Sequence, residues 1–123
     1  MANEMIARFE ITGWDPVDLP GIDGWTSGVK MGKTFTEGIT GTSEGLFMHA
    51  GEVEGQRAYM ATERIAGTLD DGRSGSFVVQ HGGLESDPDT WFGYIVPGTG
   101  TGDFASLTGV APIRHDDTGA HFA

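Results

Sequence analysis

Apolar and polar residues alternate along most of this chain, and glycines interrupt nearly every window longer than ten residues. Period two marks a strand with one buried face; an amphipathic helix needs apolar positions three and four apart. Ala7, Phe9 and Ile11 alternate with Arg8, Glu10 and Thr12, which predicts a half-buried strand ending at Trp14-Asp15-Pro16, since proline brings no ladder N–H. Val17 to Gly24 reads as a loop of Pro, Gly and Asp. From Trp25 to Phe35, the apolar Val29, Met31 and Phe35 alternate with Lys30, Gly32 and Thr34. Thr36-Glu37-Gly38 breaks to a third strand near Ile39–Ser43, and Leu46 to Ala50 continues strand-like. Gly51 to Gln56 is a polar turn before a long strand, Arg57 to Leu69. Leu84 to Thr90 reads as an acidic loop, Trp91 to Val96 as a strand, and the tail from Pro112 as a weak strand pattern broken at His115-Asp116-Asp117-Thr118-Gly119.

One turn fixes a register. Asp70-Asp71-Gly72 is a three-residue hairpin loop with glycine at the left-handed position. Counting outward from Leu69 and Arg73 pairs Gly67 with Gly75, Ile65 with Phe77, Glu63 with Val79 and Ala61 with His81. One face then carries Tyr59, Ala61, Glu63, Ile65, Phe77, Val79 and His81, and it is the more apolar, so it belongs in the core. A slip of one residue would turn Arg64 and Gln80 inward instead.

Composition narrows the class. The 123 residues fit a single domain with one core. Gly at 21 of 123 suits a chain of turns and bulges. A net charge of −11 argues against nucleic acid and anionic membranes as partners. There is no cysteine, and no apolar leader or 18-residue apolar run, so a soluble cytoplasmic protein is the expectation. Seven or eight strands with little helix leave two architectures, a sandwich and a closed barrel.

The stretch Ile95 to Gly109, "IVPGTGTGDFASLTG", raises the question of a phosphate loop. A dinucleotide fingerprint needs a helix of ten or more residues after the glycines, and a P-loop needs Gly-Lys-Ser/Thr. Neither is present, and Asp103 would repel a phosphate. The better reading is a corner whose Phe104 and Leu107 pack into the open end of a barrel. Three runs, Glu63 to Leu69, Gly72 to His81 and Val96 to Gly102, resemble the pattern of a bacterial domain-of-unknown-function family, family 3224, whose members are similar to allene oxide cyclase barrels. The Gly-Thr-Gly, Phe, Gly run is similar to that of plant dirigent proteins. The resemblance spans roughly Phe9 to Gly109. It implies an all-β, eight-stranded antiparallel β-barrel with an apolar interior, and supplies no reaction.

Glu63 and His81 are the leading pair, neighbours on adjacent strands of the inward face. A carboxyl and an imidazole in an apolar lumen can transfer protons, and Tyr59 on the same face adds a hydrogen-bond donor. The competing reading is a structural ion pair, or a Glu63 that pairs with Arg64 or Arg73 at the rim. Ile65, Phe77, Val79, Trp91 and His49 are expected to line a ligand cavity. His115, Asp116, Asp117 and His121 match no metal motif, no Gly-x-Ser-x-Gly occurs, and neither cofactor nor metal is expected. By fold analogy the chain would be a cofactor-free isomerase, cyclase or lyase for a small hydrophobic molecule, with Glu63→Gln abolishing turnover and sparing the fold. The alternative is a lipocalin-like carrier. The outward Met60 and Val78 are the expected interface of a homo-dimer or homo-trimer.

Overall fold

The computed structural model describes residues 6–18, 25–111, 113–116 and 119–122, beyond Ile113 as backbone alone. The described chain is all-β: β1 (Ala7–Val17), β2 (Thr26–Glu37), β3 (Ile39–Ala50), β4 (Ala58–Leu69), β5 (Ser74–Leu84), β6 (Asp87–Ile95), β7 (Gly109–Val110), β8 (Ile113–Asp116) and β9 (Gly119–Phe122). A single 3₁₀ turn, Gly102–Phe104, interrupts them. All nine strands join one antiparallel sheet in the order β7-β6-β5-β4-β3-β2-β1-β9-β8. Among the described residues no helix is long and apolar enough to cross a membrane.

A lone sheet with no covering layer can bury one face only by rolling onto it. That is what happens: Ala7, Phe35, Ile39, Ile65, Phe77 and Val79, from five strands, form one buried cluster with Phe104 and Ala111. β6, next to one end of the strand order, approaches β8 at the other. The hydrogen-bonded order nevertheless ends at β7 and β8 with no ladder between them. The expected eight-stranded closed barrel is therefore, in what is described, a rolled antiparallel sheet whose ladder stays open.

Inward side chains stack in three layers along the roll. An apolar layer of Phe35, Ile39, Ile65, Phe77 and Phe104 fills one end. Lys33, Ser43, Glu63 and His81 form a buried polar layer across its middle. Aromatic residues Trp14, Phe47 and Tyr59 line the other end. The close approach of β3 and β4 at the polar layer needs glycine at position 45, where a Cβ would stand 2.6 Å from the Glu63 Cβ.

The β4–β5 hairpin has the register read from its turn: Gly67 opposite Gly75, Ile65 opposite Phe77, Glu63 opposite Val79, Ala61 opposite His81. Gly72 takes φ +93° and donates to the Leu69 carbonyl at 2.9 Å. Other boundaries differ from expectation. β1 runs through Pro16 to Val17, because only β2 pairs it there and a proline nitrogen facing the unpaired side breaks no bond. A register shift between Ile11 and Gly13 leaves Ile11 exposed and pairs Trp14 with the buried Met31, where the indole stays 47% exposed. β3 is one continuous strand across Glu44 and Gly45, and the acidic loop shrinks to Glu85-Ser86, since β6 begins at Asp87. The glycine-rich corner does plug the roll. Phe104 is buried, edge-on to Phe77 at 5.5 Å, and Leu107 packs against the same cluster. Gly100 allows the fold-back, since a Cβ there would collide with the Phe104 carbonyl.

Candidate functional site

The polar layer is a chain of hydrogen bonds assembled from four strands. β2 supplies Lys33, β3 Ser43, β4 Glu63 and Tyr59, and β5 His81. Each sits at an inward position of its strand, and Glu63 and His81 are each only 1% exposed. Oε2 of Glu63 accepts from Lys33 Nζ at 2.7 Å and meets His81 Nε2 at 2.6 Å. Its Oε1 accepts from the Ser43 hydroxyl at 2.9 Å. His81 Nδ1 lies 3.0 Å from the Tyr59 hydroxyl. The Lys33 ammonium also stands 4.1 Å over the Phe9 ring. Among the described residues no buried side-chain nitrogen or oxygen lacks a partner, which is the condition for tolerating such charges in a core.

Electrostatics settle the proton positions. Burial pushes the Glu63 carboxyl up, but the His81 hydrogen bond and the Lys33 charge outweigh it, and the carboxyl stays below its ordinary range. Burial holds His81 below its ordinary value, against the pull of Glu63, so its ring is neutral. Burial likewise lowers Lys33, with Glu63 opposing. A carboxylate cannot donate, so the single ring proton of neutral His81 lies on Nε2. Nδ1 is then left to accept from Tyr59. Burial and the nearby Glu63 charge push the Tyr59 phenol up to about 12, so it keeps its proton at neutral pH.

The relay surfaces at Tyr59. Beyond it lies a cavity of about 550 Å³ walled by Trp14, Phe47, His49, Tyr59 and Trp91, with Arg57, Ala58 and Glu85 at its rim. Phe47 stacks on Tyr59 at 5.1 Å, and Trp14 tilts against Phe47 at 5.0 Å. A second hollow, of about 450 Å³, lies over the outer face near Glu44, Arg64 and Val78. Its ion pair, Arg64 with Glu44 at 3.3 Å, is exposed, so it offers no dry polar site.

Of the residues expected from the sequence, Glu63, His81 and Tyr59 come together in one chain, and His49 and Trp91 do line the cavity. Ile65, Phe77 and Val79 do not. Ile65 and Phe77 lie in the apolar layer, on the far side of the polar one, where Phe104 packs, and Val79 is buried opposite Glu63, level with the polar layer. Glu63 and His81 are sealed behind Tyr59 and take no part in the cavity wall. Arg64 and Gln80 are outward on the observed register. Met60 is outward and 59% exposed. The side chains of His115, Asp116, Asp117 and His121 lie outside the described residues. Sequence reasoning missed Lys33 and Ser43. The signal for Lys33 was present: it continues the inward series 29, 31, 33, 35, and a lysine on that series demands a buried acid.

A family model described as "Protein of unknown function (DUF3224)" matches residues 5–123. No curated protein matches the chain. Among solved structures, the chain is similar to the crystal structure of a DUF3224-family protein of unknown function from Shewanella oneidensis MR-1. The two are 28% identical with a TM-score of 0.77, covering 97% of this chain and 92% of that one.

Proposed function

The chain belongs to the DUF3224 family, and on that footing we propose that it is a cofactor-free proton-transfer enzyme, an isomerase or cyclase for a small hydrophobic molecule. The observation that carries the reading is the relay Lys33–Glu63–His81–Tyr59, sealed at one end and ending at the other on a phenol in an aromatic cavity. The Tyr59 oxygen takes a proton from the substrate as its own proton passes to Nδ1 of His81. The imidazolium so formed is held by the Glu63 carboxylate, and the proton returns to a different atom of the substrate. No free tyrosinate need form, which matters because the phenol is so weak an acid. Lys33 keeps Glu63 ionised throughout. The apolar walls exclude water and fix the substrate's shape, the role by which allene oxide cyclase barrels work. A closed barrel and kinship with those cyclases form part of this reading.

The test needs no known substrate. The protein is incubated in D₂O with a panel of enolisable cyclic ketones, and deuterium uptake is followed by mass spectrometry. The expected result is uptake well above the buffer rate, reduced at least ~100-fold by Tyr59→Phe, in line with general acid–base contributions, with circular dichroism unchanged. Wild-type uptake at the buffer rate, or undiminished uptake in Tyr59→Phe, would overturn the proposal. The aromatic cup of Trp14, Phe47 and Tyr59 also favours a second reading, a carrier for a flat hydrophobic molecule, which would bind members of the panel and return them unlabelled.

A further inference from the structure

The cavity's rim says what kind of molecule it admits. Arg57 is the one lysine or arginine among the described wall residues, and Glu85 already engages it twice, Nε to Oε2 at 3.3 Å and Nη2 to Oε1 at 3.2 Å. The Gly55 amide donates to the same Oε2 at 3.2 Å, and the Glu85 amide donates to the Arg57 carbonyl at 2.7 Å. The pair, although exposed at the rim, is thus held by backbone as well as by charge. Side-chain hydrogen bonding and charge from each partner stabilise the ionised form of the other, raising Arg57 and lowering Glu85.

With Glu85 on two of its N–H groups, the guanidinium's charge is already balanced before a ligand carboxylate arrives. The rest of the molecule works against anions too: 18 acidic residues face 7 lysines and arginines, and the summed field repels negative solutes from a mouth that carries no net positive charge. Deeper in, the protonated Tyr59 with Phe47 stacked on it, and Trp14 tilted against Phe47 at the mouth, suit a flat conjugated body with one neutral hydrogen-bonding oxygen.

We propose that the cavity selects flat, neutral, conjugated oxygen compounds (phenols and enones) over their carboxylate counterparts, and that Glu85 sets this choice by occupying the guanidinium of Arg57. The inference rests on the cavity being the ligand site of the proposed function, and it adds the ligand class and a specificity-determining residue that touches no reacting atom.

Titration calorimetry with 2-naphthol and 2-naphthoate at pH 7 tests it. The wild type should bind naphthol at least ~10-fold more tightly than naphthoate. Glu85→Gln keeps the side chain's size but removes its charge and one of its two acceptor atoms, which frees the guanidinium charge, and should shift the ratio at least ~10-fold towards naphthoate. Arg57→Gln combined with Glu85→Gln should restore the preference for naphthol. Equal binding of the two probes by the wild type, failure of naphthol to bind, or an unchanged ratio in a folded Glu85→Gln would each overturn the inference. Its failure is separable from that of the relay. Naphthol selectivity that follows Glu85 while Tyr59→Phe leaves deuterium exchange untouched sinks the relay alone. Exchange that needs Tyr59 alongside indifference to ligand charge sinks the selectivity alone.

Discussion

Lys33 and Glu63 hold opposite charges where water does not reach, so neither can be removed without stranding the other. Lys33→Met takes away the cation and leaves a carboxylate with two donors; Glu63→Gln leaves a buried ammonium without its counter-charge. Each should lower stability by about 3–5 kcal/mol, read as a shifted midpoint in urea unfolding with unchanged slope. The double variant should cost clearly less than the sum of the two, because no charge is then left alone. Strict additivity would mean that the pair does not act as a unit. The sequence reading expects Glu63→Gln to spare the fold, and it does not bring Lys33 to Glu63. With Lys33 bonded to the same oxygen, loss of activity in that variant would mix chemistry with unfolding, which is why Tyr59→Phe is the cleaner probe of the relay. Ser43 could not be foreseen: a serine on a strand says nothing of its partner, and the reading that breaks β3 after Ser43 hides its place on the inward face.

At the scale of elements, the 3₁₀ turn decides how far into the roll a ligand can go. Its aromatic side chain closes the apolar layer, with Phe104 edge-on to Phe77. Phe104→Ala should cost about 3–5 kcal/mol and leave a void in that layer. Xenon binding followed by NMR would place the void beside Ile65 and Phe77, and an unperturbed Ile65 would show that the turn does not seal that end. The packing role of this turn was legible, because too few residues follow the glycines for a phosphate-binding helix. The β4–β5 register was legible for a local reason as well: a three-residue loop with glycine at its left-handed position leaves one pairing. Expectation failed where long-range context overrides a local signal. Pro16 looks like a strand end in isolation, but it stands where only one side of its strand is laddered. Ile65, Phe77 and Val79 face inward as read, but pack in the core cluster and not in the wall of the cavity. Period two tells which face a residue takes, not how far along the roll it lies.

Across the whole molecule, one rolled sheet stacks an apolar plug, a charged layer and an aromatic cup, and the charged layer ties the stability of the roll to pH. His81 is held below its ordinary 6.5 by burial, so between its folded value and 6.5 the unfolded chain binds more protons than the folded one. Stability therefore falls as pH drops through that window. Glu63 lies below its ordinary 4.5, since His81 and Lys33 outweigh the upward push of burial, so a second loss of the same sign follows as pH falls below 4.5. The thermal midpoint should hold between pH 8 and 7, begin to fall below about 6.5, and steepen below about 4.5. His81→Gln can still donate an amide hydrogen towards Glu63 but cannot titrate. Its midpoint should start lower at pH 7 and stay flatter down to pH 5, so that the gap to wild type narrows on acidification. The comparison of the two chains at each pH cancels the other histidines and the large acidic surface, which titrate alike in both. A gap that stays constant from pH 8 to pH 5 would mean that His81 gains its proton as readily in the folded chain as in the unfolded one. It would then not be the neutral ring that donates to Glu63 and accepts from Tyr59, and the relay would lose its central link.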